Sequence, residues 1–251
     1  VATLASKINA ETSTIDNLQH WWKLNSTTID ASNLGEDYGS ATDIDLTPTS
    51  IVAGNFDYDA YYVNVHDNST TTDGTFTVTQ GKVEGKALTS LAFDGGTSHV
   101  DLASSFTMSH DGSTVAFWVK KDNATGNIDT ILGQASDANQ HWIQIKTNGE
   151  VVMRDYPNDL GTTSQIADTN WNHVIITMNG DSNGAIYFNG VSQPIDDNDI
   201  VGNPVFDVMG IRSTVDELDA KLRDVKVFDY ALSAEQAASL YSGTYPQTPK
   251  H

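Results

Sequence analysis

The sequence predicts an all-β protein: a two-sheet antiparallel β-sandwich closed by one short C-terminal helix. Three observations predict it. Short alternating apolar runs recur every 8–12 residues, bounded by Gly, Asn, Asp, Ser and Thr. Asn-Gly dipeptides stand at 148–149, 179–180, 183–184 and 189–190, where tight hairpins need left-handed backbone. Only one stretch, near the end, carries helix start and stop signals.

The elements follow in order. Residues 1–17 show no strong periodicity and are expected to form an arm or linker. "HWWKLN" (20–25) is the first expected strand. "STTIDASNLGEDYGSATD" is rich in turn formers, and the segment 48–74 that follows is expected to be a long loop carrying Tyr58, Tyr61 and Tyr62. "ALTSLAFDG" and "SHVDLA" are expected strands about a turn. "STVAFWVKKD" (113–122) sets Val115, Phe117 and Val119 on one face and Ala116 and Trp118 on the other. Both faces are apolar, so this strand is expected between two packed layers. "HWIQIKTNGEVVMRDY" (141–156) and "NHVIITMNGDSNGAIYFNGV" (172–191) read as hairpins, and "LRDVKVF" alternates as a last strand. "SAEQAASLY" is then a helix: Ser233 caps it, Gln236 completes a capping box, and Gly243 closes it. The expected organisation is an arm over 1–17, one domain over 18–243 and a tail over 244–251.

Composition narrows the function. With 13 Lys and Arg against 33 Asp and Glu, the formal charge is −20. Such a surface repels phosphate backbones and anionic lipid, which argues against nucleic-acid and membrane-surface binding. There is no cysteine, so no disulfide and no thiolate metal site. No apolar run is long enough for a membrane-spanning helix. The seven histidines show no zinc-binding spacing, and neither a G-x-S-x-G turn nor a phosphate-cradling glycine loop occurs.

Several segments together resemble laminin-G-like, concanavalin A-type jelly-roll domains. They are "GKALTSLAFDGGTSHVDLASSFTMSHDGSTVAFWVKKD", "WNHVIITMNGDSNGAIYFNGV", "AKLRDVKVFDYALSAEQAASLY", and "HWWKLN" with "DASNLG". The resemblance spans roughly 18–242, with 40–75 as a divergent stretch. It implies a jelly roll, and it implies a Ca²⁺ site whose ligands by motif position are Asp30, Asn33, Asp94 and Asp224. Arg223 stands where the family's closing strand usually has a first acid.

The fold family includes β-glucanases with Glu-x-Asp-x-Glu on one strand. "Glu217-Leu-Asp219-Ala-Lys221" has that spacing but ends in Lys. An ammonium cannot alternate between acid and base as the second carboxyl of a retaining enzyme must. The stretch is therefore expected to be structural. Sugar sites set flat rings against pyranose faces and bond the hydroxyls with Asp, Asn or Arg. The candidates are Tyr58, Tyr61, Tyr62, Trp142, Arg154 and Tyr156; Trp21, Trp22, Trp118 and Trp171 are assigned to packing. The expected protein is a non-catalytic exterior module, carbohydrate-binding or adhesive, extracellular or on a cell or virion surface. The alternatives are a structural virion or fibre subunit that contacts neighbouring subunits, including copies of itself, and a glycoside hydrolase or lyase.

Overall fold

The computed structural model describes residues 18–22, 46–49, 56–64, 72–73, 76–79, 82–123, 127–136, 140–180, 184–198, 200, 202–213 and 215–242. The expected arm, the expected tail, Asp30 and Asn33 lie outside the described residues. So do the side chains of Trp21, Trp22, Tyr58, Tyr61 and Tyr62.

Two antiparallel sheets form the sandwich. The first contains β1 (Leu18–Trp22), β3 (Phe56–Asn64), β4 (Thr72–Asp73), β5 (Phe76–Thr79), β6 (Lys82–Ala92), β8 (Ser113–Lys121), β13 (Asn172–Met178), β14 (Ala185–Phe188), β15 (Val191–Ser192) and β18 (Ala220–Phe228). The second runs in the order β16 (Ile195–Asn198), β12 (Asn158–Gln165), β11 (Glu150–Asp155), β10 (His141–Ile145), β9 (Asp129–Gly133), β17 (Val205–Met209), β7 (His99–Thr107) and β2 (Leu46–Thr49). The helix α1 (Ala234–Ser242) follows β18. The region 48–74 differs from the expected loop. It contributes β3, which pairs with β6 from Phe56↔Leu91 to Asn64↔Lys82 and takes the backbone of all three tyrosines into the first sheet.

Period-two alternation explains the core. Val115, Phe117 and Val119 on β8 and Val174 and Ile176 on β13 point inward. Ile143 and Ile145 on β10, Val151 and Met153 on β11 and Leu160 on β12 meet them from the second sheet. The expectation that β8 lies between two layers holds. Its other face carries Ala116, which joins Ile175, Tyr187, Phe228, Leu232 and Ala237 in a second apolar cluster under α1. The capping box forms as read. Ser233 N–H donates to Gln236 Oε1 at 2.8 Å, and Gln236 N–H donates to Ser233 Oγ at 3.3 Å.

Turn chemistry fixes the hairpins. Asn189 and Gly190 both have positive φ, 51° and 78°, and join β14 to β15 through the two-residue turn their sequence predicts. Gly149, at φ 88°, closes the β10–β11 turn, where Glu150 N–H donates to Asn148 Oδ1 at 3.1 Å.

Candidate functional site

The second sheet turns its inward residues to the core and leaves the alternate residues on its outer face. Register aligns these into two rows. One runs Thr130, Gln144, Val152, Gly161 and Asp196 across β9, β10, β11, β12 and β16. The next runs Trp142, Arg154 and Asp159 across β10, β11 and β12. The first row lacks a side chain at Gly161. The gap is the floor of a pocket of about 240 Å³, lined by Lys146, Glu150, Val152, Asp159, Gly161, Thr162, Thr163 and Asp196. A Cβ built on Gly161 would meet nothing closer than 3.7 Å, so packing does not demand the glycine.

The neighbouring row is held rigid. Arg154 Nε and Nη2 donate to the two carboxylate oxygens of Asp159, a fork-to-fork pair. Donating these hydrogen bonds to Asp159 raises the Arg154 pKa above its ordinary value. The Arg154 guanidinium lies 5.1 Å from the centre of the Trp142 ring, and Arg212 lies 4.2 Å from it. Arg212 pairs with Asp216 at 3.2 Å, and Gln144 Nε2 donates to Thr130 Oγ1 at 2.9 Å and to Asp216 Oδ2 at 3.2 Å. Behind this, His141 is buried: Nδ1 accepts from Val205 N–H at 3.0 Å, and Nε2 lies 2.7 Å from Asp155 Oδ1.

The ring and arginine candidates fare differently. Trp142, Arg154 and Tyr156 do come together on one hairpin. Trp142, however, is only 5% exposed, so its face is taken by guanidinium groups and is not free to stack on a sugar. Tyr156, at the β11–β12 turn, is 60% exposed and does offer a free ring. Tyr58, Tyr61 and Tyr62 belong to the other sheet by their backbone, through β3. Asp159, Gly161, Asp196 and Arg212 were not singled out in the sequence. Asp159 was within reach, because "DYPND" is a tight-turn composition that folds it back across from Arg154.

Of the residues implied for Ca²⁺, the two that are described, Asp94 and Asp224, stand apart. Asp94 shapes its own loop: Oδ1 accepts from Gly96 N–H at 3.0 Å and Ser98 N–H at 3.4 Å. Phe93 N–H bonds Ala220 O and Gly95 N–H bonds Leu218 O, so Asp94 stands across from Asp219. Asp224 is five residues further along, on the order of 15 Å at strand spacing. It sits at positive φ, 52°, in a bulge of β18, with Lys226 Nζ 3.9 Å from Oδ1. No shared group of three metal-ligating side chains occurs among the described residues.

The Glu217–Lys221 stretch leads into β18. Leu218, Ala220 and Leu222 are fully buried, while Glu217 and Asp219 precede β18. Asp219 Oδ2 accepts from Asn123 Nδ2 at 2.9 Å, and Asp219 N–H donates to Asp129 Oδ1 at 2.9 Å. Asp129 is in turn held by the buried Lys121 ammonium at 3.4 Å. Burial pushes the Asp129 carboxyl above the usual carboxylate range despite that partner.

The family model described as "Concanavalin A-like lectin/glucanases superfamily", of laminin G type, matches residues 94–238. The chain belongs to this superfamily. Among solved structures, the receptor binding domain of botulinum neurotoxin D is similar at TM-score 0.51 and 17% identity, over 91% of this chain and 53% of the toxin domain. The serotype D binding domain in complex with N-acetylneuraminic acid gives 0.51 at 18%, over 93% of this chain and 52% of that one. Domain 4 of AbnA, a GH43 extracellular arabinanase from Geobacillus stearothermophilus, in complex with arabinotriose, gives 0.50 at 20%, over 90% and 98%. These likenesses establish the jelly-roll sandwich. The chain spans about half the length of the toxin domains it matches. No curated protein matches it in sequence.

Proposed function

We propose that this chain is a non-catalytic binding module of an exterior protein, and that it takes a glycan across the outer face of its second sheet. One observation carries the reading: the gap at Gly161 opens a polar pocket beside the rigid Arg154–Asp159 pair. A fixed guanidinium–carboxylate pair presents donors and acceptors at set spacing, which suits the neighbouring hydroxyls of a sugar. Tyr156 supplies a free ring at the rim of the same hairpin. The fold neighbours named for receptor and oligosaccharide complexes support a binding role over a catalytic one. So does the engagement of Glu150 by Lys146 at 3.4 Å and of Asp159 by Arg154, which leaves neither carboxylate set up as a proton donor.

The test is Gly161→Val. Valine suits a strand, and its Cβ would meet only ordinary contacts there, with the γ-methyls taking up pocket space. Calorimetric titration with arabinotriose, cello-oligosaccharides and sialyllactose is expected to find at least one ligand for the native chain. Gly161→Val is expected to weaken that ligand by roughly tenfold or more, about 1.4 kcal/mol, with no loss of melting temperature. Equal affinity in the variant would overturn the assignment of the site.

A further inference from the structure

One cation of the sandwich is turned into its core. On β8, Lys121 continues the inward alternation of Val115, Phe117 and Val119, and it is only 1% exposed. Asp129 opens β9 in the second sheet, on the same inward side as Ile131, and is equally buried. Lys121 Nζ lies 3.4 Å from Asp129 Oδ2. The last residue of a strand in one sheet thus meets the first residue of a strand in the other. The pairs Arg154–Asp159, Arg212–Asp216 and Lys146–Glu150 differ, because each of their side chains keeps more than a fifth of its surface exposed.

Two full charges in so dry a place lose their hydration, and their attraction returns only part of that cost. Passing one proton from Nζ to Oδ2 leaves a neutral amine beside a neutral acid. Burial above all, and the charge of Asp219 to a lesser degree, push the Asp129 carboxyl upward toward that protonated form, against the pull of Lys121 and of the Asp219 N–H. An amine and a carboxylic acid in contact are the reactants of amide formation. Asp219 N–H donates to Asp129 Oδ1 at 2.9 Å, the oxygen on which negative charge gathers when an amine adds to the carboxyl carbon. Strands on both sides hold the two groups together, so no bimolecular encounter is needed.

We propose that Lys121 and Asp129 join in an isopeptide bond, a covalent clamp between the two sheets. Nζ bonds Asp129 Cγ, the Cγ–Oδ2 bond breaks, and Oδ2 leaves as water with two of the three ammonium protons. The step needs no oxidant, reductant or cofactor. The cysteine-free chain has no disulfide to supply such a clamp.

The experiment is mass spectrometry of the purified full chain, kept folded at neutral pH for several days and then denatured. The intact native chain is expected to be lighter than its sequence by one water. After cleavage at Asp122, the peptide carrying Lys121 is expected to remain attached to the peptide carrying Asp129. The Asp-Gly pairs at 73–74, 94–95 and 111–112 can also lose one water, by forming a succinimide. Hydroxylamine opens that ring and leaves an isopeptide intact, so the lighter species should survive it. Lys121→Met keeps an unbranched side chain without the amine and is expected to show the full sequence mass. If this variant does not fold, the fragment spectra of the native chain decide alone. The proposal is overturned if the native chain keeps its full sequence mass or if hydroxylamine consumes the lighter species. It is equally overturned if the two peptides separate, or if Lys121→Met is lighter by the same water.

Discussion

Each outer face of the sandwich carries a tryptophan with an arginine over it, yet one face is closed and the other open. On the first sheet, Arg223 lies 4.2 Å from the Trp171 ring and 5.4 Å from Trp118, and the Trp118 ring packs at a tilt against His173 at 4.8 Å and Tyr241 of α1 at 5.7 Å. The helix and the turn leading into it seal this surface with Ala237 and Leu232. On the second sheet, Arg154 and Arg212 cover Trp142, no helix among the described residues packs over them, and Asp159 and Asp216 hold the guanidiniums instead. Aromatic burial alone therefore does not decide which face is free. The C-terminal helix does, by spending one face on packing and leaving the charged one to solvent.

The largest effect that can break this comparison is Leu232→Ala. Leu232 is 3% exposed in the cluster under α1, and its N–H donates to Thr114 Oγ1 at 3.0 Å. A leucine truncated in such a place costs about 2–5 kcal/mol. At about 2–4 °C per kcal/mol for a chain of this size, the melting temperature should fall by roughly 5–15 °C. Tyr156→Ala on the open face should move it by less than about 0.5 kcal/mol. Similar losses at the two sites would mean that α1 does not close the first face.

A smaller effect is specific to the closed face. Burial pushes the His173 imidazole down to about 3, with the positive charges of Lys226 and Arg223 adding to it. The folded state thus resists a proton that the unfolded chain takes near pH 6.5. Stability from neutral His173 is complete above that pH and is lost as pH falls from about 6.5 toward 3, at up to about 1.4 kcal/mol per pH unit. His173→Phe should keep the ring packing on Trp118 and flatten this part of the curve. Urea midpoints from pH 7 to pH 4 for both proteins read it directly, and parallel curves would remove His173 as the cause.

The sandwich, its central hairpins and the capped helix were legible because alternation and turn chemistry are local. The 113–122 run announced its two-sided burial in the same way, although the helix that supplies the second layer lies at the other end of the domain. The site was only half legible. Trp142 and Arg154 were visible as a pair on a hairpin, but Trp142 looked like a free ring because nothing local reveals that Arg212 returns to cover it. The notch at Gly161 depends on register across β11, β12 and β16, which no single segment encodes. Tyr58, Tyr61 and Tyr62 were misplaced in a loop: Phe56, Tyr58 and Ala60 do alternate with Asp57 and Asp59, but turn formers flank this short run on both sides, and its partner, β6, fixes it from outside.

The smallest expected effect concerns calcium, and it falls on the edge where the two faces meet. Family resemblance joins Asp94 and Asp224 in one site, whereas the ladder sets Asp94 across from Asp219 and carries Asp224 into a bulge with Lys226. A Ca²⁺ ion needs six to eight oxygens within one coordination sphere, and two carboxylates on the order of 15 Å apart cannot share it. Any rise of the melting temperature in millimolar CaCl₂ over EDTA, by mass action of an ion on the folded chain, should therefore survive Asp224→Ala. A rise of several degrees that Asp224→Ala abolishes would show that β18 moves to bring Asp224 into a site. A rise abolished by Asp219→Asn and untouched by Asp224→Ala would instead place the ion at the Asp94 loop, with Asp219 in the role that resemblance gives to Asp224.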